Sequence, residues 1–204
     1  MPLPVPAKIP DFIETERLFL RSPMPGDGAA VNEAILESRD TLRHWLAWAL
    51  EPPTMEQSEQ LVRERHAAFL ARTDLPMHIF LSDRRTYVGG TGLHRMDWSV
   101  PRFEIGYWIR SSFEGRGYVS EAVRALTRFA LRSLGAQRIE IHCSHRNVRS
   151  QRVAERCGFV LEGRLRNQAR EPDGQLRDTF VYSLVPEDAA ARALLAAPAS
   201  APHA

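Results

Sequence analysis

The segment S-S-F-E-G-R-G-Y-V-S-E-A, residues 111–122, places Gly115 and Gly117 just ahead of an apolar series with helical spacing. A tight turn at a helix start gathers unpaired backbone N–H groups and the positive end of the helix dipole at one point. A phosphate fits such a point, because glycine leaves the backbone open and lets successive N–H groups converge. Alone, the G-x-G pattern is equally a plain strand-to-helix turn. It is neither a nucleotide P-loop nor a dinucleotide fingerprint, since no G-K-[ST] follows and Ser120 stands where a third glycine would. Asn147 and Ser150 open another short helical stretch, and both residue types cap helices well. Glu104 precedes the loop on a strand and faces either a cleft or solvent. Trp45, Trp48, His44 and His94 form either an aromatic wall around a ligand or ordinary core. Arg164, Arg166 and Arg170 read as a solvated face. Cys143 and Cys157 match neither a disulfide framework nor a metal pair, and no metal is expected.

These groups need elements to hold them. Arg17 to Ser22 alternates as a strand. Pro25, Gly26 and Asp27 then start a helix whose apolar positions run to Leu42 and a tryptophan-rich end at Trp45 and Trp48. Thr54 and Gln57 form a capping box that opens a helix toward Arg72. Strands follow at Met77 to Leu81, Tyr87 to Arg95 and Arg102 to Arg110. The stripe Val119, Ala122, Val123, Leu126, Phe129, Ala130 and Leu134 predicts a long helix ended by Gly135. Arg138 to Cys143 is a strand, Asn147 to Arg156 a short helix, and Phe159 to Leu165 with Phe180 to Val185 a hairpin around P-D-G. The order is mixed α/β without a doubly wound repeat. One domain is expected over residues 11–188, with flexible tails at 1–10 and 196–204.

Composition narrows the partners. With 204 residues there is chain for one substantial core. A formal net charge of +2, with 44% hydrophobic and 25% charged residues, gives no reason to expect a nucleic-acid partner. Lys8 is the only lysine, an arginine bias that identifies no ligand. No apolar run reaches the roughly 18 residues of a membrane span, and the proline-alternating start is unlike a signal peptide. The expected setting is cytoplasmic.

Read together, F-E-I-G-Y-W-I, F-E-G-R-G-Y-V-S-E-A and N-V-R-S-Q-R-V-A-E-R-C-G-F-V-L-E-G resemble the core of the GNAT superfamily of N-acetyltransferases. The spacing, with L-R-H-W-L-A-W, resembles in particular the RimJ/RimL branch that acetylates ribosomal protein N-termini. The resemblance implies a central, mixed, mostly antiparallel, splayed sheet flanked by helices, with acetyl-CoA as co-substrate. It implies that Glu114, Gly115, Arg116, Gly117, Tyr118 and Val119 line the pyrophosphate of coenzyme A. Tyr107, Trp108 and Ile109 would pair their backbone with the pantetheine arm as an added strand does. The family's loop usually opens with glutamine or arginine and closes with glycine or alanine. Here it has Glu114, expected to turn away toward Arg116, and Val119.

Acyl transfer from a thioester needs a neutral amine, donors for the developing oxyanion and a proton for the thiolate. Backbone N–H groups around Trp108 and Ile109 would serve the oxyanion. The tyrosine that many members place seven residues after the helix-opening asparagine is Ala154 here. The resembling branch has serine three residues after that asparagine, which makes Ser150 the proton donor and, with Asn147, part of the cofactor site. An α-amine, with a reference pKa of about 7.7–8.0, needs only a weak base, and Glu104 would position a water for it. The branch's acid beyond L-E-G does not carry over: Ala169 stands there, with Glu171 two residues on. Trp45, Trp48 and His94 would contact the acceptor. That acceptor is a peptide N-terminus of ribosomal-protein type or else a small amine such as a polyamine, aminoglycoside or amino acid, used by a monomer or homodimer. A non-catalytic acyl-CoA sensor is the alternative from another class.

Overall fold

Alternating strands and two sets of helices build an open eight-stranded sheet in the order β1-β2-β3-β4-β5-β6-β8-β7, as seen in the computed structural model. It describes residues 9–197; residues 1–8 and 198–204, most of the two segments expected to be tails, lie outside the described residues. The strands are β1 Phe12–Glu14, β2 Leu18–Arg21, β3 Leu75–Leu81, β4 Tyr87–Asp97, β5 Arg102–Ile109, β6 Arg138–Ser144, β7 Val160–Arg170 and β8 Leu176–Leu184. All neighbours pair antiparallel except β5 and β6. A parallel pair needs a crossover, and α3, Tyr118–Ser133, supplies it.

Helix α3 packs its apolar stripe on one face of the sheet. Ala122, Val123, Leu126 and Ala130 are wholly buried there against Leu18, Leu20, Phe103, Ile105, Ile139 and Ile141. Two further helices, α1 Gly28–Leu42 and α2 Met55–Ala71, cover a smaller cluster of Val31, Ala34, Ile35, Val62, Phe80 and Tyr87. Helix α4, Val148–Arg156, follows β6, and α5, Ala189–Ala196, closes the described chain. No described helix is long and apolar enough to cross a membrane.

The predicted elements recur with local differences. The Thr54–Gln57 capping box forms in both directions, at 3.2 Å and 2.8 Å. Helix α1 stops at Leu42, so Trp45 lies in a turn and Trp48 in a single 3-10 turn, Ala47–Ala49. The last hairpin has longer arms than expected, because two register shifts near Gly163 and Ala169 let β7 continue as far as Arg170. Two elements were not anticipated. Strand β1 is three residues long, too short to show a period. Helix α5 is alanine-rich, yet it buries Ala191 and packs Ala190 and Leu195 on the core, so the fold continues past Asp188.

Asp27 ties α1 to the sheet. It precedes the first turn, but its carboxylate turns inward, accepting from Arg21 at 2.6 and 2.7 Å, from His78 Nδ1 at 2.9 Å and from the Met24 N–H at 2.9 Å. Burial alone would push this carboxyl up; the His78, Arg21 and Met24 hydrogen bonds outweigh it and hold the group well below the usual carboxylate range. Asp27→Ala is expected to cost about 3 kcal/mol, because it strands a half-buried guanidinium and a buried imidazole. Because the folded-state value is depressed, the stability is fully present above about pH 4, the unfolded value, and is lost as pH falls through the folded one. Denaturant melts from pH 7 downward check both points: the variant should start lower and lose less stability with acid.

Candidate active site

Strands β5 and β6 register at only three places, Arg102 with Arg138, Phe103 with Ile139 and Glu104 with Glu140. Beyond Glu104, β5 remains on β4 as far as Ile109, opposite Gly89, while β6 stays with β8. The two strands therefore part, and from Ile105 to Ile109 the β6-facing backbone of β5 has no strand partner among the described residues. Arg110 donates its N–H to Val88 on β4 at 2.8 Å. N–H directions alternate along a strand, so the N–H groups of Tyr107 and Ile109 face the gap and that of Trp108 faces β4. The gap opens into a cavity of about 360 Å³.

At one end of the cavity lies the glycine turn. Gly115 and Gly117 have φ of 74° and 80°, the left-handed region where a side chain would be strained. No backbone acceptor is recorded among the described residues for the N–H groups from Gly115 to Val119, which converge at the start of α3. Arg17 locks the turn from outside. It donates to the Arg116 carbonyl at 3.1 Å and to Glu121 at 2.7 Å, and its guanidinium lies 4.8 Å from the Tyr118 ring centre. Glu114 does turn away from the amides, but its partner is Arg149 on the first turn of α4, at 2.6 Å. Arg116 cannot serve, because beyond the Gly115 turn it stacks over the Phe113 ring at 5.2 Å.

In the middle of the gap, α4 brings Ser150 to the cavity wall. Asn147 caps the helix, its Oδ1 accepting from the Ser150 N–H at 3.1 Å. That backbone contact leaves the Ser150 hydroxyl free to point elsewhere. It lies 2.7 Å from the hydroxyl of Tyr107, which reaches across from β5. Cys143 is beside them; burial pushes its thiol up, against a smaller downward effect of the Ser150 hydroxyl.

The far end is charged. Glu104 and Glu140 are register partners across the last paired rung, and both approach His142, at 3.4 and 3.0 Å. Arg95 reaches Glu104 at 3.5 Å. Glu104, His142 and Arg177 line the cavity, with Trp45 and Leu46 over them. Glu171 is buried behind, where it accepts from the Ser144 hydroxyl at 2.5 Å and pairs loosely with Arg177 at 3.9 Å.

Among the acceptor candidates, Trp45 lines this cavity, whereas Trp48 and His94 do not. Trp48 is partly exposed and meets Trp108 edge-on at 6.0 Å. His94 is held by Asp74 at 2.8 Å with its ring against Gly92 and Gly106. His44 borders a shallower hollow with Glu114 and Arg149. His142, Arg177 and Arg17 were not singled out from sequence. The signal for His142 was present: alternation along β6 puts residues 138, 140 and 142 on one face, next to Glu104 if β5 and β6 pair.

The protein-family model described as an acetyltransferase (GNAT) domain matches residues 17–160, which contain the glycine turn, both walls of the gap and Ser150. The chain is 31% identical over 143 residues to the ribosomal-protein-serine acetyltransferase of Escherichia coli (strain K12), covering 69% of this chain and 79% of that protein. An uncharacterized N-acetyltransferase, YoaA, of Bacillus subtilis (strain 168) is 28% identical over 174 residues, covering 85% and 96%. Among solved structures, RimL, a ribosomal alpha-N-protein acetyltransferase in complex with coenzyme A, superposes with a TM-score of 0.79 at 23% identity over 85% of this chain and 97% of its own. The microcin self-immunity acetyltransferase MccE, in complex with acetyl-CoA and AMP, gives 0.79 at 24% identity over 84% and 93%. The parted strands, the amide-lined turn and the family match agree, and the chain belongs to the GNAT acetyltransferase family as an N-acetyltransferase.

Proposed function

We propose that this N-acetyltransferase uses acetyl-CoA as donor and the α-amine of a protein, of ribosomal-protein type, as acceptor. One observation carries the reading: the gap between β5 and β6 opens into a cavity lined by the unpaired strand edge, by Ser150 and by Glu114 and Val119, the two residues that bound the glycine turn. The residues fit coenzyme A at each point. The N–H groups of Gly115, Arg116, Gly117, Tyr118 and Val119 hold a diphosphate without a clashing side chain, since an added Cβ at Gly115 meets nothing within 4 Å. The free edge at Ile109, the part of β5 nearer the turn, pairs with the pantetheine amides, as β-augmentation does.

Acetyl-CoA brings a thioester carbonyl and a thiol leaving group to the cavity. The Tyr107 N–H, which faces the gap on the residue that meets Ser150, donates to the carbonyl oxygen as negative charge grows on it, and the Ile109 N–H, nearer the turn, is left for the pantetheine arm. This narrows the strand-borne donors, because the Trp108 N–H is directed into the ladder with β4. Ser150 gives its hydroxyl proton to the departing sulfur, and Asn147 keeps α4 in register. Glu104, beside His142, holds a water that takes the amine proton; an α-amine, with a pKa of about 7.7–8.0, asks little of that base. Trp45 roofs the acceptor end. The relative that is 31% identical is named a ribosomal-protein-serine acetyltransferase, which supports a protein N-terminus as acceptor. A cytoplasmic setting follows from that substrate.

Three measurements test the reading. Free thiol should rise above the no-enzyme control with acetyl-CoA and a peptide beginning with Ser or Ala. Release only with polyamines, aminoglycosides or amino acids would move the acceptor to small amines, and binding without release on any amine would leave an acyl-CoA sensor. Gly117→Val, which puts a branched side chain at φ 80°, should weaken acetyl-CoA at least tenfold by calorimetry. Ser150→Ala should lower kcat by about 100-fold while the Kd for acetyl-CoA stays within about threefold, as expected for a proton donor. Equal losses in both would reduce Ser150 to a helix residue.

A further inference from the structure

The Tyr107 hydroxyl reaches from β5 to within 2.7 Å of Ser150 Oγ and 3.2 Å of the Ser150 carbonyl oxygen. A buried tyrosine hydroxyl needs a partner, and the two on offer have different consequences. If Tyr107 donated to the carbonyl, Ser150 would spend its own proton on the tyrosine oxygen. That carbonyl lies inside α4, however, where the helical ladder already supplies its donor. The Oγ contact is shorter by 0.5 Å, from 3.2 to 2.7 Å, and falls at the usual O–H···O distance. Tyr107 donating to Oγ leaves the serine proton free to point into the cavity.

We propose that Tyr107 is a positioning residue for acetyl transfer: its hydroxyl donates to Ser150 Oγ, fixes that side chain and aims the serine proton at the leaving sulfur. The bond changes balance simply. As the carbon–sulfur bond of the thioester breaks, the sulfur takes the electron pair and the Ser150 proton, while Ser150 Oγ takes a proton in the same step, through water, from the ammonium formed when the amine attacks; the serine ends neutral, with the Tyr107 O–H still donating to it. Tyr107 keeps its own proton throughout, since burial pushes the phenol up, which disfavours the tyrosinate. The hydroxyl therefore comes from the opposite wall of the gap, whereas position 154 on α4 is a buried alanine and offers none. Two short reaches, one from β5 and one from α4, meet because the strands part at this level and nowhere nearer the paired rungs.

The inference rests on the acetyl-transfer reading of the same cavity, and a double-mutant cycle separates the two. Wild type, Tyr107→Phe, Ser150→Ala and the double variant are compared for kcat, for KM of acetyl-CoA, and for acetyl-CoA binding by calorimetry. Tyr107→Phe keeps the ring and its packing, so binding and KM should stay within about twofold while kcat falls about tenfold, the worth of one neutral hydrogen bond. In the Ser150→Ala background the same change should do nothing further, because the group it aims has gone. Losses that multiply in the double variant, an unchanged kcat for Tyr107→Phe, or a loss confined to KM would each overturn the positioning role. A wild type that binds acetyl-CoA but turns over no amine overturns the acetyl-transfer reading and this inference with it.

Discussion

The parting of β5 from β6 is the constraint on which the rest of the structure depends. Parallel strands cannot be joined by a hairpin, so α3 must carry the chain from the end of one to the start of the other. The crossover delivers the glycine turn to the mouth of the gap, since the turn is the first stretch after β5 ends. It also leaves the β5 edge unpaired over Ile105 to Ile109. An open backbone edge inside a protein is costly unless something hydrogen-bonds to it. A ligand with its own amides would meet that need, which is why the proposed place of the pantetheine arm is this edge.

The core on either side keeps this gap from closing. On the α3 face, Phe103 and Ile105 are wholly or almost wholly buried, and they anchor β5 up to the level where it diverges. On the other face, α1 is pinned by Asp27 to Arg21 and His78, and α2 is tied to its start by Glu59, which accepts from the Gly26 and Gly28 N–H groups. Burial lowers His78, so its contact with Asp27 is a hydrogen bond to a neutral ring at pH 7, with Arg21 the balancing charge. The end of α1 then carries Trp45 over the cavity. An anchor at Arg21 is thus linked, through one helix, to the cavity wall at Trp45.

Much of this was legible in the residues, and for identifiable reasons. Periodicity located α3 because it buries one face, whereas β3 and the first part of β4, buried on both faces, were legible from the turn residues that bound them, and the Thr54 capping box is a local signal that needs no tertiary context. The turn at Gly115 and Gly117 was legible because positive φ selects glycine. What could not be read was pairing. Nothing local says that β5 meets β6 for three rungs and stops, so His142 was overlooked although its own strand was found. Glu114 was expected to turn toward Arg116, its near neighbour, when the partner, Arg149, lies 35 residues on. His94 and Trp48 looked equal to Trp45 as aromatic residues; only the turn after Leu42 and the grip of Asp74 on His94 separate them.

The distribution of charge around the cavity bears on which amine it suits. The glycine-turn end presents neutral amides, and its acids Glu114 and Glu121 are paired with Arg149 and Arg17. The acceptor end presents Glu104 and Glu140 around His142, with Arg177 set back beside Glu171. A cation arriving there is attracted by carboxylates but must become neutral before it attacks. Lysine amines, with a reference pKa of about 10.4, would be almost wholly protonated in such a field, whereas an α-amine loses its proton near neutrality. On the proposed acetyl-transfer reading, an α-amine therefore asks less of this cavity than a lysine side chain does.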